Sequence, residues 1–174
     1  QATAAFEKYD HTKALELAES FFWVFTDDYM ELVKERAYGL GDHTKEQTAS
    51  AVAALREALA VLVRLFAPFI PFAAEEVWSW WQEGSVHEAS WPKASELSGN
   101  NPELLDLASS ALILIRKSKS DAKLSMKAEI ASLELAGPAE LNELQGDLRD
   151  VGKINNLVLT EAAELSILEL SFSE

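Results

Sequence analysis

The apolar positions of residues 12–37 recur every three or four residues, which is the spacing of one face of an α-helix. Thr12 is a suitable N-cap, and Gly39 lies just past the last turn, where a left-handed residue commonly ends a helix. The pattern therefore predicts one long amphipathic helix over 12–37. Its apolar stripe consists of Leu15, Ala18, Phe22, Phe25, Tyr29 and Leu32.

Two further helices are predicted before residue 83. Thr44 and Gln47 have the spacing of a capping box, in which each side chain bonds the backbone N–H of the other residue. The helix that they open ends before Pro68, because proline lacks an N–H and disfavours helix in the preceding residue. Pro71 suits the first position of a third helix over 71–82. The stretch 83–101 is rich in Gly, Ser, Asn and Pro and predicts a loop.

The second half of the chain has a different pattern. A fourth helix is predicted from Asn101, and the alternation of apolar and polar residues over 128–136 predicts a strand. Gly137 and Pro138 mark a turn into a short helix, and 157–172 reads as two strands joined as a hairpin. We expect a mainly α protein: a helical bundle over 1–98, followed by a small α+β unit of about three strands over 99–174.

Each half is expected to have its own hydrophobic core. The predicted first core consists of Phe22, Phe25, Tyr29, Leu55, Leu59, Leu62, Phe66 and Trp78. The predicted second core consists of Leu112, Leu133, Leu135, Leu144, Leu159 and Leu168.

Composition narrows the class of protein. The chain has 174 residues, 48% of them hydrophobic and 25% charged, which is ordinary for a globular protein. It contains no run of about 18 uncharged apolar residues that could span a membrane. The absence of cysteine excludes disulfides and thiol chemistry and suits a cytoplasmic protein, and the missing initiator Met suggests a fragment. The net charge of −14 opposes non-specific binding of nucleic acid by the chain as a whole.

The candidate catalytic residues do not form a catalytic pattern. His11, His43 and His87 are far apart in the sequence, without a carboxylate or second histidine at metal-ligand spacing, and we expect surface or loop positions for them. Asp27 and Asp28 are adjacent, so in a helix their side chains point about 100° apart. No Gly-rich phosphate loop and no nucleophile motif is present. The sequence therefore predicts neither an active site nor a metal or cofactor site in this chain.

Positive charge is concentrated in one stretch, "IRKSKSDAKLSMK" at 115–127, which holds five of the fifteen basic residues. Two interpretations remain open. The cluster could face a phosphate backbone, or it could be a solvated helix end where cations favour the negative end of the helix dipole. The five residues are Arg116, Lys117, Lys119, Lys123 and Lys127.

Three motifs resemble the valyl-tRNA synthetase family of class Ia aminoacyl-tRNA synthetases. They read "ALELAESFFWVFTDDYMELVKERAYG" at 14–39, "LVRLFAPFIPFAAEEVWSWW" at 62–81 and "SVHEASWP" at 85–92. The Pro-Phe-x-Pro-Phe element is shared by several class Ia families, whereas the first motif, together with "RKSKSDAKLSM" after the fourth helix, is similar to the valine-specific one. The stretch "KSKSD" does not match the ATP-binding Lys-Met-Ser-Lys-Ser loop of these enzymes, since no nucleotide-binding fold accompanies it.

The resemblance covers about 14–172 and implies the anticodon-binding bundle with the small domain after it, the bundle's first helix being truncated. It implies that the parent enzyme attaches valine to tRNA(Val) with ATP, and that its catalytic and editing domains lie upstream. The fragment itself would have no catalysis and no cofactor. Its partners would be tRNA(Val), the parent's own catalytic domain and the C-terminal arm.

The same resemblance suggests that the basic end of the first helix lies near the anticodon stem-loop. A Tyr ring can stack on a base, a Glu can accept from a base amine, and Lys or Arg can bind phosphate. The alternatives are a helical protein-interaction module without an RNA role, or the equivalent region of an isoleucyl or leucyl enzyme. The RNA-binding residues implied are Tyr29, Glu31, Lys34 and Arg36, together with the basic cluster Arg116, Lys117, Lys119, Lys123 and Lys127.

Overall fold

The structure, a computed structural model, describes residues 1–93, 101 and 103–173. Most of its helices precede a small three-stranded sheet, and the last helix lies between the first two strands, which confirms the predicted mainly α fold with a small α+β unit. The helices are α1 (Ala2–Glu7), α2 (His11–Val24), α3 (Met30–Tyr38), α4 (Lys45–Phe66), α5 (Pro71–Ser79), α6 (Glu103–Asp121) and α7 (Gln145–Gly152). The strands are β1 (Ile130–Gly137), β2 (Ile154–Glu161) and β3 (Ser166–Phe172).

The predicted long first helix is divided in the structure. A π-helical turn, Phe25–Tyr29, separates α2 from α3. The helix also begins earlier than predicted, because Asp10 instead of Thr12 is the N-cap and its carboxylate accepts a hydrogen bond of 2.9 Å from the Lys13 amide. At the other end Gly39 has a φ of 66°, which confirms it as the left-handed residue that ends the helix.

Local sequence signals are confirmed at the start of α4 and α5. The Thr44 amide donates to Oε1 of Gln47 at 2.8 Å, and the Gln47 amide donates to Oγ1 of Thr44 at 3.2 Å, so the capping box is formed. Pro71 is the first residue of α5, as expected, although the helix ends at Ser79 and not at residue 82. These features depend on residues close together in the sequence, which makes them predictable.

The chain divides into two compact units. We call them the helical unit, Gln1–Thr26 with Val52–Ser98, and the sheet unit, Asp27–Ala51 with Gly99–Glu174. The first boundary falls in the π-helical turn and the second inside α4. The predicted domain boundary near residue 98 lies outside the described residues and stays a prediction.

The helical unit is built on apolar and aromatic packing. Its core cluster consists of Val63, Ala67, Ala74, Trp78 and Val86. Of the predicted first core, Phe25, Leu62 and Trp78 are buried, and Phe22, Tyr29, Leu55 and Phe66 are half-buried. Leu59 was wrongly placed in the core: it is 40% exposed, because the apolar stripe of α4 is wider than the face that packs.

The predicted hairpin of the last two strands is wrong. In the sheet unit β1 is the central strand, paired in parallel with β2 and antiparallel with β3. The connection from β2 to β3 passes the end of β1 at Gly137, whose carbonyl accepts a hydrogen bond of 2.8 Å from the Ala162 amide. A Cβ at Gly137 would lie 2.9 Å from Cδ1 of Leu165, so a residue without a side chain permits this close passage.

The central position of β1 decides which side chains of the sheet are buried. Of the predicted second core, Leu112, Leu133, Leu135 and Leu144 are buried and Leu159 is half-buried. Leu168 was wrongly placed there. Ile167 is the residue paired with Leu135, so the adjacent Leu168 points to the opposite face and is 57% exposed.

Helix α7 provides the crossover between the parallel strands β1 and β2, and it packs against α3, α6 and β2. Its last residue, Gly152, is closely surrounded: a Cβ there would lie 2.7 Å from Cδ1 of Ile154 and 3.6 Å from Cγ2 of Ile115. The carboxyl end of α7 therefore lies directly against α6. This contact brings the end of α7 to the basic stretch found in the sequence.

Candidate nucleic-acid interface

A groove of about 380 Å³ lies within the sheet unit, between α3, α6, the segment that joins α6 to β1, and the junction of α7 with β2. We call it the basic groove. Besides apolar and backbone positions, it is lined by three acidic and five basic residues. The acidic residues are Glu31, Glu35 and Asp150, and the basic ones are Lys34, Arg116, Lys119, Lys127 and Lys153.

Lys34 and Glu31 form the α3 side of the basic groove. They lie one helical turn apart, and Nζ of Lys34 is 3.2 Å from Oε1 of Glu31. Both side chains are about half exposed, so water screens the pair and its contribution to stability is below about 1 kcal/mol. The ammonium of Lys34 is therefore available to a stronger anion.

Arg116 reaches the groove from α6. Its guanidinium donates to Oδ1 of Asp28 at 3.4 Å and to the backbone carbonyl of Asp27 at 3.2 Å. Both acceptors belong to the π-helical turn, so this turn orients the guanidinium. The Arg116 side chain keeps 41% of its surface exposed, and part of its charge faces solvent at the groove.

Lys119 does not have the exposed position that the sequence predicted. Only 2% of the residue is exposed, and Nζ donates to three backbone carbonyls: Met126 at 3.1 Å, Ala128 at 2.7 Å and Gly152 at 2.8 Å. Burial lowers the pKa of this ammonium, and the nearby positive charge of Lys153 lowers it further. An ammonium enclosed in this way is not available to an RNA phosphate.

The other predicted cations are exposed, but they do not all line the groove. Lys127 lines it, whereas Lys117 and Lys123 are outside its lining. Lys123 has a φ of 56° and occupies the left-handed position that ends α6, where glycine is the usual residue. The Leu124 amide after it donates to the Lys119 carbonyl at 2.9 Å, which completes the helix end.

Arg36 and Tyr29 belong to a partly buried charge network. Nη2 of Arg36 lies 2.9 Å from Oδ2 of Asp147, and these side chains are only 22% and 8% exposed. Burial raises the pKa of Asp147, and the positive charge of Arg36 opposes that rise only in part. Burial likewise raises the pKa of the half-buried Tyr29 phenol, against the charge of Arg36. Of the four residues predicted near the anticodon, the structure brings Glu31 and Lys34 to the groove.

A second buried pair was missed by sequence reasoning. Nε2 of His43 lies 2.7 Å from Oδ2 of Asp150, and both side chains are no more than 10% exposed. His43 lies in a loop, one of the two positions expected for it, but its side chain is not at the surface. Its loop is folded against α7, since a Cβ at Gly146 would lie 3.3 Å from Cε1 of His43. The partners are 107 residues apart, and no local pattern connects them.

Lys153 was also missed by sequence reasoning. It lies outside the basic stretch, directly after α7, with a φ of 51°. The one local signal was the Gly-Lys pair at the end of a short predicted helix, where the left-handed conformation is common. The tertiary structure brings this side chain to the same groove as Lys34, Arg116 and Lys127.

Two properties of the described residues bear on other functions. Residues 1–93, 101 and 103–173 contain no cluster of three or more histidine, aspartate or glutamate side chains that could hold a metal ion. Over the same residues, every helix is too short or too polar to cross a membrane.

Comparison with known proteins gives the family. The model of the anticodon-binding domain of tRNA ligase matches residues 1–135. The chain is 48% identical to the valine–tRNA ligase of Leifsonia xyli and 50% identical to that of Thermobifida fusca, over 99% of its length in both. It is 44% identical to the valine–tRNA ligase of Cutibacterium acnes over its whole length. The chain spans about a fifth of each relative. It therefore belongs to the family of anticodon-binding domains of tRNA ligases.

Proposed function

We propose that this chain is the tRNA-binding, anticodon-binding region of a valine–tRNA ligase that acts in the cytoplasm. In the complete enzyme it would hold tRNA(Val) while residues outside this chain attach valine with ATP, so no cofactor is assigned to it here. The names of the relatives support valine over isoleucine or leucine as the amino acid. The family match supports tRNA as the partner.

The basic groove is the observation that carries the proposal. Lys34, Arg116, Lys127 and Lys153 come from three separate parts of the sequence and line one groove, although the chain as a whole has a net charge of −14. Phosphate binding is driven by cationic side chains that release counterions. A polyanion would therefore be repelled by most of this acidic surface and attracted where these cations converge.

The groove is suited to hold the tRNA backbone without reading its sequence. Lysine and arginine contacts to phosphate fix position and carry no sequence information by themselves. Each neutralised phosphate adds roughly 0.9 to the slope of log affinity against log salt concentration. Contacts from two or three of the four cations would give a slope of roughly two to three. Glu31 can accept from an exposed base amine, and Lys117 and Lys123 can extend the contacts beyond the groove.

The test uses the full-length ligase and the triple variant Lys34→Gln, Lys127→Gln, Lys153→Gln. We expect the salt slope of tRNA(Val) binding to fall by roughly two to three, with valine activation by ATP unchanged. The slope should fall equally for tRNA(Val) and for transcripts with an altered anticodon. A change in discrimination between anticodons would instead mean that these residues read bases.

A matched control removes the same number of positive charges, but from the helical unit and not from the groove. Lys8→Gln, Lys13→Gln, Lys93→Gln removes three exposed positive charges from outside the groove. This variant should leave the slope within experimental error. Equal losses in both triple variants would show a general effect of net charge, and the groove would lose its assignment.

The alternative, a helical protein-interaction module without an RNA role, is favoured by one observation. Phe72 and Trp80 of the α5 region are 91% and 69% exposed, and large exposed aromatic side chains commonly mark contact surfaces. One assay distinguishes the two candidate functions. Phe72→Ser, Trp80→Ser should leave the salt slope of tRNA binding unchanged if the basic groove holds the tRNA. A chain that shows no salt-dependent tRNA binding at all would support the alternative.

A further inference from the structure

Lys119 is a buried cation whose partners are all backbone carbonyls. It lies in the last turn of α6, and its ammonium has three N–H donors. The carbonyls of Met126, Ala128 and Gly152 provide three acceptors between 2.7 and 3.1 Å. Burying a charge is costly unless its hydrogen bonds are satisfied, and here each donor has an acceptor.

The positions of these carbonyls relate Lys119 to the basic groove. Met126 and Ala128 lie on either side of Lys127, and Gly152 directly precedes Lys153. One ammonium therefore fixes the backbone on both sides of Lys127 and on the N-terminal side of Lys153. Lys127 and Lys153 are both exposed and both line the groove.

Other contacts hold the same two segments. The Lys127 amide donates to Oγ of Ser125 at 3.2 Å, and the Lys153 carbonyl accepts from the Ile130 amide at 2.9 Å. Three carbonyl oxygens directed at one point would repel one another without a cation between them. The hydrogen bond between Ile130 and Lys153 joins the two segments, and the ammonium of Lys119 offsets the repulsion among the three carbonyls where they meet.

We infer that Lys119 is a positioning residue of the basic groove: its buried ammonium holds Lys127 and Lys153 where both can contact one tRNA backbone. This inference rests on the function proposed above. The competing explanation is that Lys119 only stabilises the connection between α6 and β1.

Amine labelling of the unmodified protein gives the first test. The full-length ligase is treated with a water-soluble acetylating ester, with and without tRNA(Val), and labelled lysines are measured by mass spectrometry. We expect Lys119 to be unreactive in both samples, and tRNA to protect Lys127 and Lys153. Lys8 and Lys13, in the helical unit, should react equally in both. Labelling of Lys119 as fast as Lys8 would overturn the inference.

The second test is a double-mutant cycle in the full-length ligase. Lys119→Met removes the ammonium in the wild-type background and in the Lys127→Gln, Lys153→Gln background. If Lys119 acts through those two lysines, Lys119→Met should lower the salt slope by about two in the first background and have no effect in the second. The Michaelis constant for tRNA should rise while kcat and valine activation are preserved. Lys119→Arg, which keeps the cation, should recover at least part of the slope.

The possible failures are distinguishable. An unchanged slope for Lys127→Gln, Lys153→Gln would reject the groove and with it the proposed function. If that slope falls but Lys119→Met has no effect in the wild-type background, or an equal effect in both, only the positioning role is rejected. Circular dichroism identifies any variant that does not fold. If Lys119→Met is one, Lys119→Arg, which displaces the carbonyls with a larger cation, takes its place in the cycle: a lower slope in the wild-type background alone supports positioning, and an equal effect in both backgrounds rejects it.

Discussion

Both compact units bury apolar side chains, but among the described residues only the sheet unit also buries charged ones. The cluster at the centre of the helical unit consists of Val63, Ala67, Ala74, Trp78 and Val86, all of them apolar or aromatic. In the sheet unit, Lys119 and Asp147 are buried, and His43 and Asp150 form a nearly buried pair. Apolar burial has no preferred direction, whereas a buried charge requires partners at fixed distances. We therefore expect changes in side-chain volume to affect the stability of both units, and changes in buried charge to affect that of the sheet unit.

The sequence itself provides separate probes for the two units. All five tryptophans belong to the helical unit, so their fluorescence reports its unfolding. The strands belong to the sheet unit, and amide hydrogen exchange of β1 reports its stability. The tryptophans are Trp23, Trp78, Trp80, Trp81 and Trp91.

The largest expected effect is that of Trp78→Ala. Trp78 is 8% exposed within the apolar cluster, and removing such a side chain leaves a cavity that lowers the free energy of unfolding by about 3–5 kcal/mol. The loss should not depend on pH, because no ionisable group belongs to the cluster. Denaturant unfolding at pH 5 and pH 8, followed by the remaining tryptophans, measures it.

Phe72→Ala is the matched control for Trp78→Ala. Phe72 is also an aromatic residue of α5, but 91% of it is exposed, so the change should stay within about 0.5 kcal/mol. Similar losses of unfolding free energy in the two variants would contradict the assignment of Trp78 as buried and Phe72 as exposed.

A smaller effect is expected for Asp147→Ala in the sheet unit. The change leaves the guanidinium of Arg36 without its carboxylate, and breaking a buried ion pair is strongly destabilising. The Arg36 side chain keeps 22% of its surface exposed, so water replaces part of the lost interaction. We therefore expect the free energy of unfolding of the sheet unit, measured by hydrogen exchange of β1, to fall by about 2–3 kcal/mol. The double variant Arg36→Met, Asp147→Leu should recover most of the lost stability. Glu31→Ala, which breaks the exposed pair with Lys34, should cost no more than about 0.5 kcal/mol.

The pH dependence of the sheet unit follows from the same carboxyl. Burial raises the pKa of Asp147 above 3.8, so the folded protein keeps this proton at higher pH than the unfolded chain does. The stability that this group contributes is complete below 3.8 and is lost as pH rises through the raised value. Asp147→Asn removes this titration. Between pH 3.5 and 6 the unfolding free energy of the wild type should therefore fall relative to that of the variant, and a relative rise would contradict the assignment.

The smallest expected effect concerns Lys123, whose φ of 56° is unfavourable for a residue with a Cβ. Lys123→Gly should raise the free energy of unfolding of the sheet unit by about 0.5–1 kcal/mol. Lys123→Ala removes the same charge but keeps the Cβ, so it should give no such gain. If Lys123 contacts a phosphate, both variants should lower the salt slope of tRNA binding by about one. A lower free energy of unfolding for Lys123→Gly would show that the backbone at Lys123 is not strained.

Several elements of the fold could be predicted because their causes are local. The capping box of Thr44 and Gln47 involves two residues in one turn, and Gly39 ends its helix through its own backbone freedom. The alternation around Leu133 and Leu135 identified β1 because a buried strand places every second side chain inside. The family motifs of the helical region also led to the family that the comparisons found.

The strand order could not be read from the sequence. A short connection such as 162–165 can join two neighbouring strands, or it can pass the end of a third. The passage at Gly137 decided between these, and it depends on the contact of Leu165 with a residue 28 positions earlier in the chain. Long-range packing, not local propensity, therefore set the order β2-β1-β3.

The sequence by itself determined that positive charge is concentrated at 115–127 in an acidic chain, but only the tertiary structure decided what each cation does. Lys119 has the same local pattern as its neighbours, yet its ammonium is buried among carbonyls seven, nine and 33 residues away. Lys153 lies outside the stretch and reaches the groove because α7 packs against α6. The charge of a side chain is a local property, whereas its partners and its exposure to water are set by parts of the chain that meet only on folding.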